Sequence, residues 1–265
     1  MSMKRVLLTV EYDGTAYAGW QRQANGLAVQ QVIEEALSSA CGHPVTVTGA
    51  SRTDAGVHAL GQALHFDTSC TIPPEKYPFV LNNILPPDIR VHSGQEVPAG
   101  FHARFMTAGK KYTYRIVNSR HGSAIRRNNT VHVPVPLDLD LMKKAAETLT
   151  GTHDFSAFQA AGGTAKTTVR TIHRVTLDKA GDDIVFTVEG NAFLYNMVRI
   201  IVGTLIEIGW NKRGSDAFVK AFDSKDRLDL GVTAPAHGLE LTRVMYPDSA
   251  FTVPDEIRWH EETTC

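Results

Sequence analysis

Segments with a two-residue hydrophobic period and segments with a helical period follow one another irregularly along this chain. Strand-like alternation is found at residues 5–12, 45–48, 63–66, 110–118, 169–177 and 184–188. Apolar residues at helical spacing predict helices at residues 29–40, 75–84, 138–150 and 193–208. Because a doubly wound sheet needs regular alternation of strand and helix, this order favours an α+β fold instead.

The simplest architecture of this class is two α/β lobes with mainly antiparallel sheets and helices packed on one side. We expect the lobes to comprise residues 1–105 and 106–247, with the candidate site in the cleft between them. Residues 248–265 are polar and contain Pro254 followed by four acidic residues, so we expect a loosely ordered tail.

The composition excludes several other classes of protein. With 43% hydrophobic and 21% charged residues, the 265-residue chain is neither disordered nor collagen-like, and its three scattered cysteines do not form a disulfide framework. No stretch reaches the roughly 18 unbroken apolar residues of a membrane span, and the opening segment is too short for a signal peptide. We therefore expect a cytoplasmic protein in a reducing compartment, without a membrane partner.

The net charge of −1 hides an uneven distribution of charge. Residues 97–137, called the basic block below, contain seven Lys/Arg and no acid, whereas the parts before and after carry −3 and −5. Aromatic residues are interleaved with these cations, namely Phe101, Phe105, Tyr112 and Tyr114. A phosphate backbone and unstacked bases require cations and aromatics, so the basic block predicts a polyanionic partner. The alternative is a basic strand face whose cations pair with acids from elsewhere in the chain.

The polar loop at residues 49–58 (GASRTDAGVH) allows two interpretations. As a structural motif, Ser51-x-x-Asp54 is a capping box that opens a helix, although Gly56 makes that helix a poor one. As a functional motif, the loop presents Asp54 two residues after Arg52, and residues i and i+2 share a face in extended backbone. A guanidinium beside a carboxylate lowers its pKa and keeps it ionised as a nucleophile or base. The residue pattern alone leaves both interpretations open.

Signatures of nucleotide and metal sites are missing from the sequence. The chain contains no G-x-G-x-x-G, residues 162–167 lack the P-loop spacing, and the eleven histidines include no H-E-x-x-H. We therefore expect neither a cofactor nor a metal.

Four motifs together resemble the TruA family of tRNA pseudouridine synthases, in the order in which that family has them. Residues 49–58 resemble its signature loop, and residues 12–23 (YDGTAYAGWQRQ) resemble its opening motif. Residues 101–105 (FHARF) together with residues 110–114 (KKYTY) resemble the tyrosine strand of the family. Residues 190–203 (GNAFLYNMVRIIVG) resemble the helix of the family that carries an arginine. The resemblance extends from about residue 4 to residue 247.

The resemblance implies an activity and a set of site residues. Members of the family isomerise uridine to pseudouridine in the anticodon stem-loop of tRNA, at positions 38 to 40 in the bacterial enzymes, and act as homodimers without a cofactor. Asp54 matches the catalytic aspartate and Tyr112 the active-site tyrosine. Arg52 matches the arginine beside the aspartate, and Arg199 matches its cationic partner from the second lobe. The resemblance therefore implies that Tyr112, Arg52 and Arg199 bind the substrate. Asn196 stands where histidine is frequent in the family, so the resemblance gives it no role.

Combining the residue pattern with the resemblance, we expect an RNA isomerase with Asp54 as its essential nucleophile or base. The RNA backbone is expected to contact four cations of the basic block: Lys110, Lys111, Arg126 and Arg127. Tyr112 has an alternative role as a core aromatic. The whole chain has an alternative function as a non-catalytic RNA-binding protein that uses the basic block. A carboxylate-dependent glycosidase is disfavoured because no second acid lies within ten residues of Asp54.

Overall fold

The computed structural model describes residues 3–257 and 259. The chain divides into a first unit, formed by residues up to 108 together with residues from 241 onward, and a second unit of residues 109–240. Among the described residues, no helix is both long and apolar enough to cross a membrane. Residues 258 and 260–265 of the predicted tail lie outside the described part of the chain.

The first unit is built on antiparallel strands. In order across the sheet these are β4 (Ile89–Val97), β1 (Lys4–Tyr12), β3 (His58–Thr68) and β10 (Leu239–Met245), the last belonging to this unit from residue 241. β1 pairs antiparallel with both β3 and β4, and the short β2 (Thr48–Gly49) pairs antiparallel with β3. Val6, Leu8 and Val10 of β1 are wholly buried, as the two-residue period predicts.

Two helices complete the first unit, α1 (Val29–Cys41) and the short α2 (Tyr77–Leu81). Val29, Ile33 and Leu37 are wholly buried, and their four-residue spacing places them on one face of α1. The helix ends at Gly42, whose φ of 72° is left-handed and whose N–H donates to the carbonyl of Ser38. Glycine is the residue most often found at this left-handed position after a helix, because it has no β-carbon.

The second unit has its own antiparallel strands and its own helices. The strand order is β5 (Gly109–Val117), β9 (Asp183–Gly190), β8 (Val169–Ala180) and β7 (Gly151–Asp154), with neighbours antiparallel. A short strand, β6 (Val131–His132), pairs parallel with β5. The helices are α3 (Leu139–Glu147), α4 (Met197–Gly209) and α5 (Ala217–Ser224). The predicted α+β class with mainly antiparallel strands is therefore confirmed.

Several element predictions differ from the structure, and each difference has a physical cause. β4 lacks the alternating pattern because its middle is polar and exposed, with burial only at Ile89, Val91 and Val97 at its ends. The predicted helix at 193–208 starts later, at Met197, since Asn196 has a left-handed φ of 60°. β3 extends over residues 58–68, so the strand predicted at 63–66 was too short.

Two buried histidines contact each other in the first unit. The rings of His65 and His102 are 5.0 Å apart, and Nδ1 of His65 accepts a hydrogen bond from the backbone N–H of Ala103 at 3.1 Å. Burial, with the charge of Arg5 and the neighbouring His102, lowers the pKa of His65 to about 3. His65 is therefore neutral in the folded chain at pH 7.

The close packing of Gly203 in α4 predicts whether alanine at this position raises or lowers the free energy of unfolding. A β-carbon at this position would lie 1.8 Å from the carbonyl oxygen of Val232. Alanine in a helix interior normally stabilises by about 1 kcal/mol relative to glycine. Here the overlap with backbone reverses the sign, and we expect Gly203→Ala to lower the free energy of unfolding by about 1–3 kcal/mol. Urea unfolding measures this, and a variant as stable as the parent would contradict the close contact.

His65 gives a prediction of pH dependence. Below its unfolded pKa of about 6.5, the unfolded chain takes up a proton at this residue that the folded chain does not, so stability falls on acidification. We expect His65 to account for a loss of about 2 kcal/mol between pH 6.5 and 5. His65→Asn keeps an acceptor near Nδ1 but cannot titrate, so its stability should fall less over this range. Exposed His121→Asn is the control, and parallel curves for all three proteins would reject the assignment.

Candidate active site

The loop that carries Arg52 and Asp54 is fixed at its start by hydrogen bonds to β3. The N–H of Ala50 donates to the carbonyl of Ala63 at 2.8 Å. The wholly buried Gln62 then binds Ser51 twice, because its Oε1 accepts from the Ser51 N–H at 3.2 Å and its Nε2 donates to the Ser51 carbonyl at 2.7 Å. A single side chain thus holds both polar groups of the backbone just before the candidate catalytic residues.

Thr53, between Arg52 and Asp54, is held by the motif at residues 12–23. Its carbonyl accepts from the N–H of Trp20 at 3.0 Å, and its Oγ1 lies 2.7 Å from the hydroxyl of Tyr12. At Gly19, which has a left-handed φ of 96°, a β-carbon would lie 2.7 Å from the same carbonyl. Only glycine allows this approach, so the opening motif supports the backbone of the loop.

After Asp54 the chain turns directly into β3. The N–H of Val57 donates to the carbonyl of Asp54 at 3.1 Å, and Gly56 has a left-handed φ of 77°. Residues 51–57 form irregular backbone and a turn, so the capping-box interpretation of Ser51-x-x-Asp54 is wrong. The side chain of Arg52 is exposed and Asp54 is half-buried. Asp54 is thus only partly shielded from solvent, while the backbone around it is fixed.

Tyr112 and Arg199, the other two candidate site residues, belong to the second unit. Tyr112 lies in β5 opposite Val188 of β9, and its ring meets that of Phe193 edge-on at 5.1 Å. Its side chain is 7% exposed, so the ring orientation is fixed by packing. The contact between Tyr112 and a substrate base stays a prediction.

Arg199 is oriented by two neutral oxygens. Its Nε donates to the carbonyl of Ala234 at 2.8 Å, and its Nη1 donates to Oδ1 of Asn196 at 2.7 Å. The left-handed φ of Asn196 suits asparagine better than most residues, and its side chain here positions the guanidinium. Sequence reasoning missed this role, although an asparagine three residues before a helical arginine is a usable signal.

Part of the charge of the basic block is paired with acids of the second unit. Lys111 lies 3.4 Å from Glu189, and Arg126 lies 2.6 Å from Asp183. Arg127 is exposed and donates to the carbonyl of Ala124, while Lys110 is half-buried. The alternative of paired cations therefore applies to Lys111 and Arg126, and also to Arg115, which lies 3.7 Å from Glu240. Such partly exposed pairs contribute only about 0–1 kcal/mol.

Metal binding has no obvious location in the part of the chain that the structure describes. Among residues 3–257 and 259, no group of three or more His, Cys, Asp or Glu side chains is arranged to hold a metal ion.

A family model described as tRNA pseudouridine synthase matches residues 8–106 and 145–247. The matched ranges contain Arg52, Asp54 and Arg199. They do not contain Tyr112 or the four cations expected to contact the RNA backbone.

Proteins named tRNA pseudouridine synthase A are similar over nearly the whole chain. The one from Acetivibrio thermocellus is 48% identical over 244 residues, which are 92% of this chain and 100% of the relative. That from Thermoanaerobacter sp. is 47% identical with the same coverage, and that from Halalkalibacterium halodurans is 49% identical over 89% of this chain and 90% of the relative. With such identity over such lengths, the chain belongs to the family of tRNA pseudouridine synthases.

Proposed function

We propose that the protein converts uridine to pseudouridine in the anticodon stem-loop of tRNA, at positions 38, 39 and 40, with Asp54 as the essential nucleophile or base. The observation that carries this proposal is that the family match includes Arg52 and Asp54 in a loop whose backbone is fixed on both sides. A loop of this kind presents one half-buried carboxylate at a defined place, as covalent or acid–base catalysis requires.

The reaction rearranges bonds without changing the composition of the nucleotide. The bond between C1′ and N1 breaks, the uracil turns, and a bond forms between C1′ and C5. C5 then loses its proton, and N1 gains one. The carboxylate of Asp54 can add to the sugar or the base, or take the proton from C2′. As proposed, these steps use only the carboxylate of Asp54 and proton transfers, with no oxidation or hydrolysis, so the reaction draws on no cofactor.

Each remaining site residue has a role suited to its surroundings. The guanidinium of Arg52 favours the ionised form of a neighbouring carboxylate. Tyr112, whose ring is fixed by packing, is assigned to contact with the displaced base, as base–aromatic contacts in RNA binding suggest. Arg199, whose guanidinium is oriented by two hydrogen bonds, is assigned to an anionic group such as a phosphate or a carboxylate.

Binding of tRNA has to compensate for removing the target nucleotide from its stack, which costs a few kcal/mol. Contacts between phosphates and Lys110, Lys111, Arg126 and Arg127 supply affinity without reading sequence, which suits an enzyme that acts on neighbouring positions. A homodimer would double the basic surface available to one tRNA, and a cytoplasmic location would place the enzyme with its substrate. Both belong to the proposal.

Replacing Asp54 tests the chemical role of its carboxylate. We expect Asp54→Asn to abolish tritium release from tRNA labelled at C5 of uridine, because an amide is neither a nucleophile nor a base of comparable strength. The dissociation constant for tRNA should change less than about threefold, since phosphate contacts dominate affinity. Asp140→Asn, at an exposed position in α3, is the matched control. Turnover by Asp54→Asn would remove Asp54 from the mechanism, and binding without turnover by the parent would favour the RNA-binding alternative.

Reversing charge in the basic block tests the RNA surface. We expect Lys110→Glu with Lys111→Glu to weaken tRNA binding and to reduce the slope of log Kd against log salt by about one unit per lost phosphate contact. The control reverses Lys143 and Lys144, which are exposed in α3. Equal salt slopes for both double variants would place the RNA elsewhere.

A further inference from the structure

The described residues after position 246 form a strap on the first unit. The strap comprises residues 247–257 and Trp259. The family match ends at residue 247, so it includes only the first residue of the strap. The alignment with the Acetivibrio thermocellus relative covers all of that protein but 92% of this chain. The strap, apart from Pro247, therefore falls outside the residues that the family model matches.

Polar contacts attach the strap to the loop at residues 98–105. Oδ1 of Asp255 accepts from the backbone N–H of Ala99 at 2.7 Å, and Nε1 of Trp259 donates to the carbonyl of Gly100 at 2.7 Å. A β-carbon at Gly100 would lie 2.1 Å from the carbonyl oxygen of Pro254, so the two backbones are in direct contact. The strap thus holds this loop at successive residues by directional bonds.

Aromatic contacts extend the same attachment. Phe251 stacks on Phe101 with ring centroids 5.8 Å apart, while Trp259 contacts both His102 and Phe105 at 5.9 and 5.8 Å. Offset and edge-on ring pairs of this kind each add to the free energy of burial. The loop at 98–105 is therefore packed against the strap along most of its length.

The buried side of this contact reaches the loop of Asp54. Ala250 of the strap, Phe101, Ala103 and Ala50 belong to one buried cluster, and each is at most 1% exposed. Ala50 is the residue directly before Ser51, whose backbone Gln62 holds. Because close-packed interiors transmit displacement, movement of the strap shifts the cluster on which this end of the catalytic loop rests.

We propose that the strap is a positioning element for the loop that carries Arg52 and Asp54, an inference that rests on the proposed function. Its charge favours this over contact with RNA, since Asp248, Asp255 and Glu256 bring three carboxylates to the strap and a polyanion is repelled by them. A shift of about 1 Å at a reacting group far from the mutated residue can lower a rate 100-fold. We therefore expect loss of the strap contacts to lower the rate of the chemical step and to leave the affinity for tRNA unchanged.

The test separates rate from binding in single-turnover reactions with tRNA labelled at C5 of uridine. We expect Asp255→Ala and Trp259→Ala each to lower the maximal rate about 10-fold and to leave the tRNA concentration for half-maximal rate within about twofold, because misplacement affects the reacting group and not the phosphate contacts. Asp255→Asn keeps the acceptor oxygen for Ala99 and should restore the rate. Hydrogen exchange of the peptide at residues 50–56 should increase in Asp255→Ala and return to normal in Asp255→Asn.

Matched controls come from the second unit. Trp210→Ala removes a tryptophan that is 42% exposed, close to the 37% of Trp259, and Asp226→Ala removes a carboxylate that accepts a backbone N–H at 2.9 Å. Neither should change the rate or the exchange at 50–56. All measurements are made well below the melting temperature of each variant.

The outcomes distinguish the two proposals. If the parent releases no tritium, the proposed function fails. If the parent is active and the strap variants keep its rate, or lose only affinity for tRNA, the positioning role is overturned, and loss of affinity alone would assign the strap to RNA contact. A rate loss that Asp255→Asn does not restore would also overturn it.

Discussion

The two hydrogen bonds between the amide of Gln62 and the backbone of Ser51 are the interaction on which the candidate site depends. Gln62 is wholly buried, so losing either bond would leave a polar group unpaired inside the protein, at a penalty of about 1–3 kcal/mol. A planar amide offers a donor and an acceptor at fixed angles, and it therefore fixes both the position and the direction of the chain ahead of Arg52. A loop whose backbone was bonded only to water would have neither a fixed position nor a fixed direction.

In the second unit, hydrogen bonds to fixed oxygens orient the guanidinium of Arg199. Arg199 donates to the carbonyl of Ala234 and to the side chain of Asn196, and both acceptors are neutral. These two bonds fix the direction in which the guanidinium points, and a guanidinium with a fixed direction binds an anion with defined geometry. Nearby, burial raises the pKa of Tyr114, whose hydroxyl donates to the carbonyl of Pro235, so this phenol stays neutral beside the arginine.

Periodicity in the sequence predicted the elements whose buried faces are regular, such as β1, α1, β5 and α3. It missed β4, whose exposed middle breaks the alternation. Motif resemblance indicated Asp54 and Arg52, but not the reason for the opening motif, which is the approach of Gly19 to Thr53. Contacts such as that between Asp255 and Ala99 join residues 156 positions apart, and no local pattern specifies them.

The order of the two units along the chain has a consequence for synthesis on the ribosome. Residues 241–257 belong to the unit that residues 3–108 begin, and the whole second unit is translated in between. Until β10 emerges, only the two-residue strand β2 pairs with this edge of β3 in the nascent first unit, and unpaired stretches of a strand edge attract other chains. The second unit, by contrast, is complete once residue 240 has left the exit tunnel. The half that is begun first is therefore the half that is finished last.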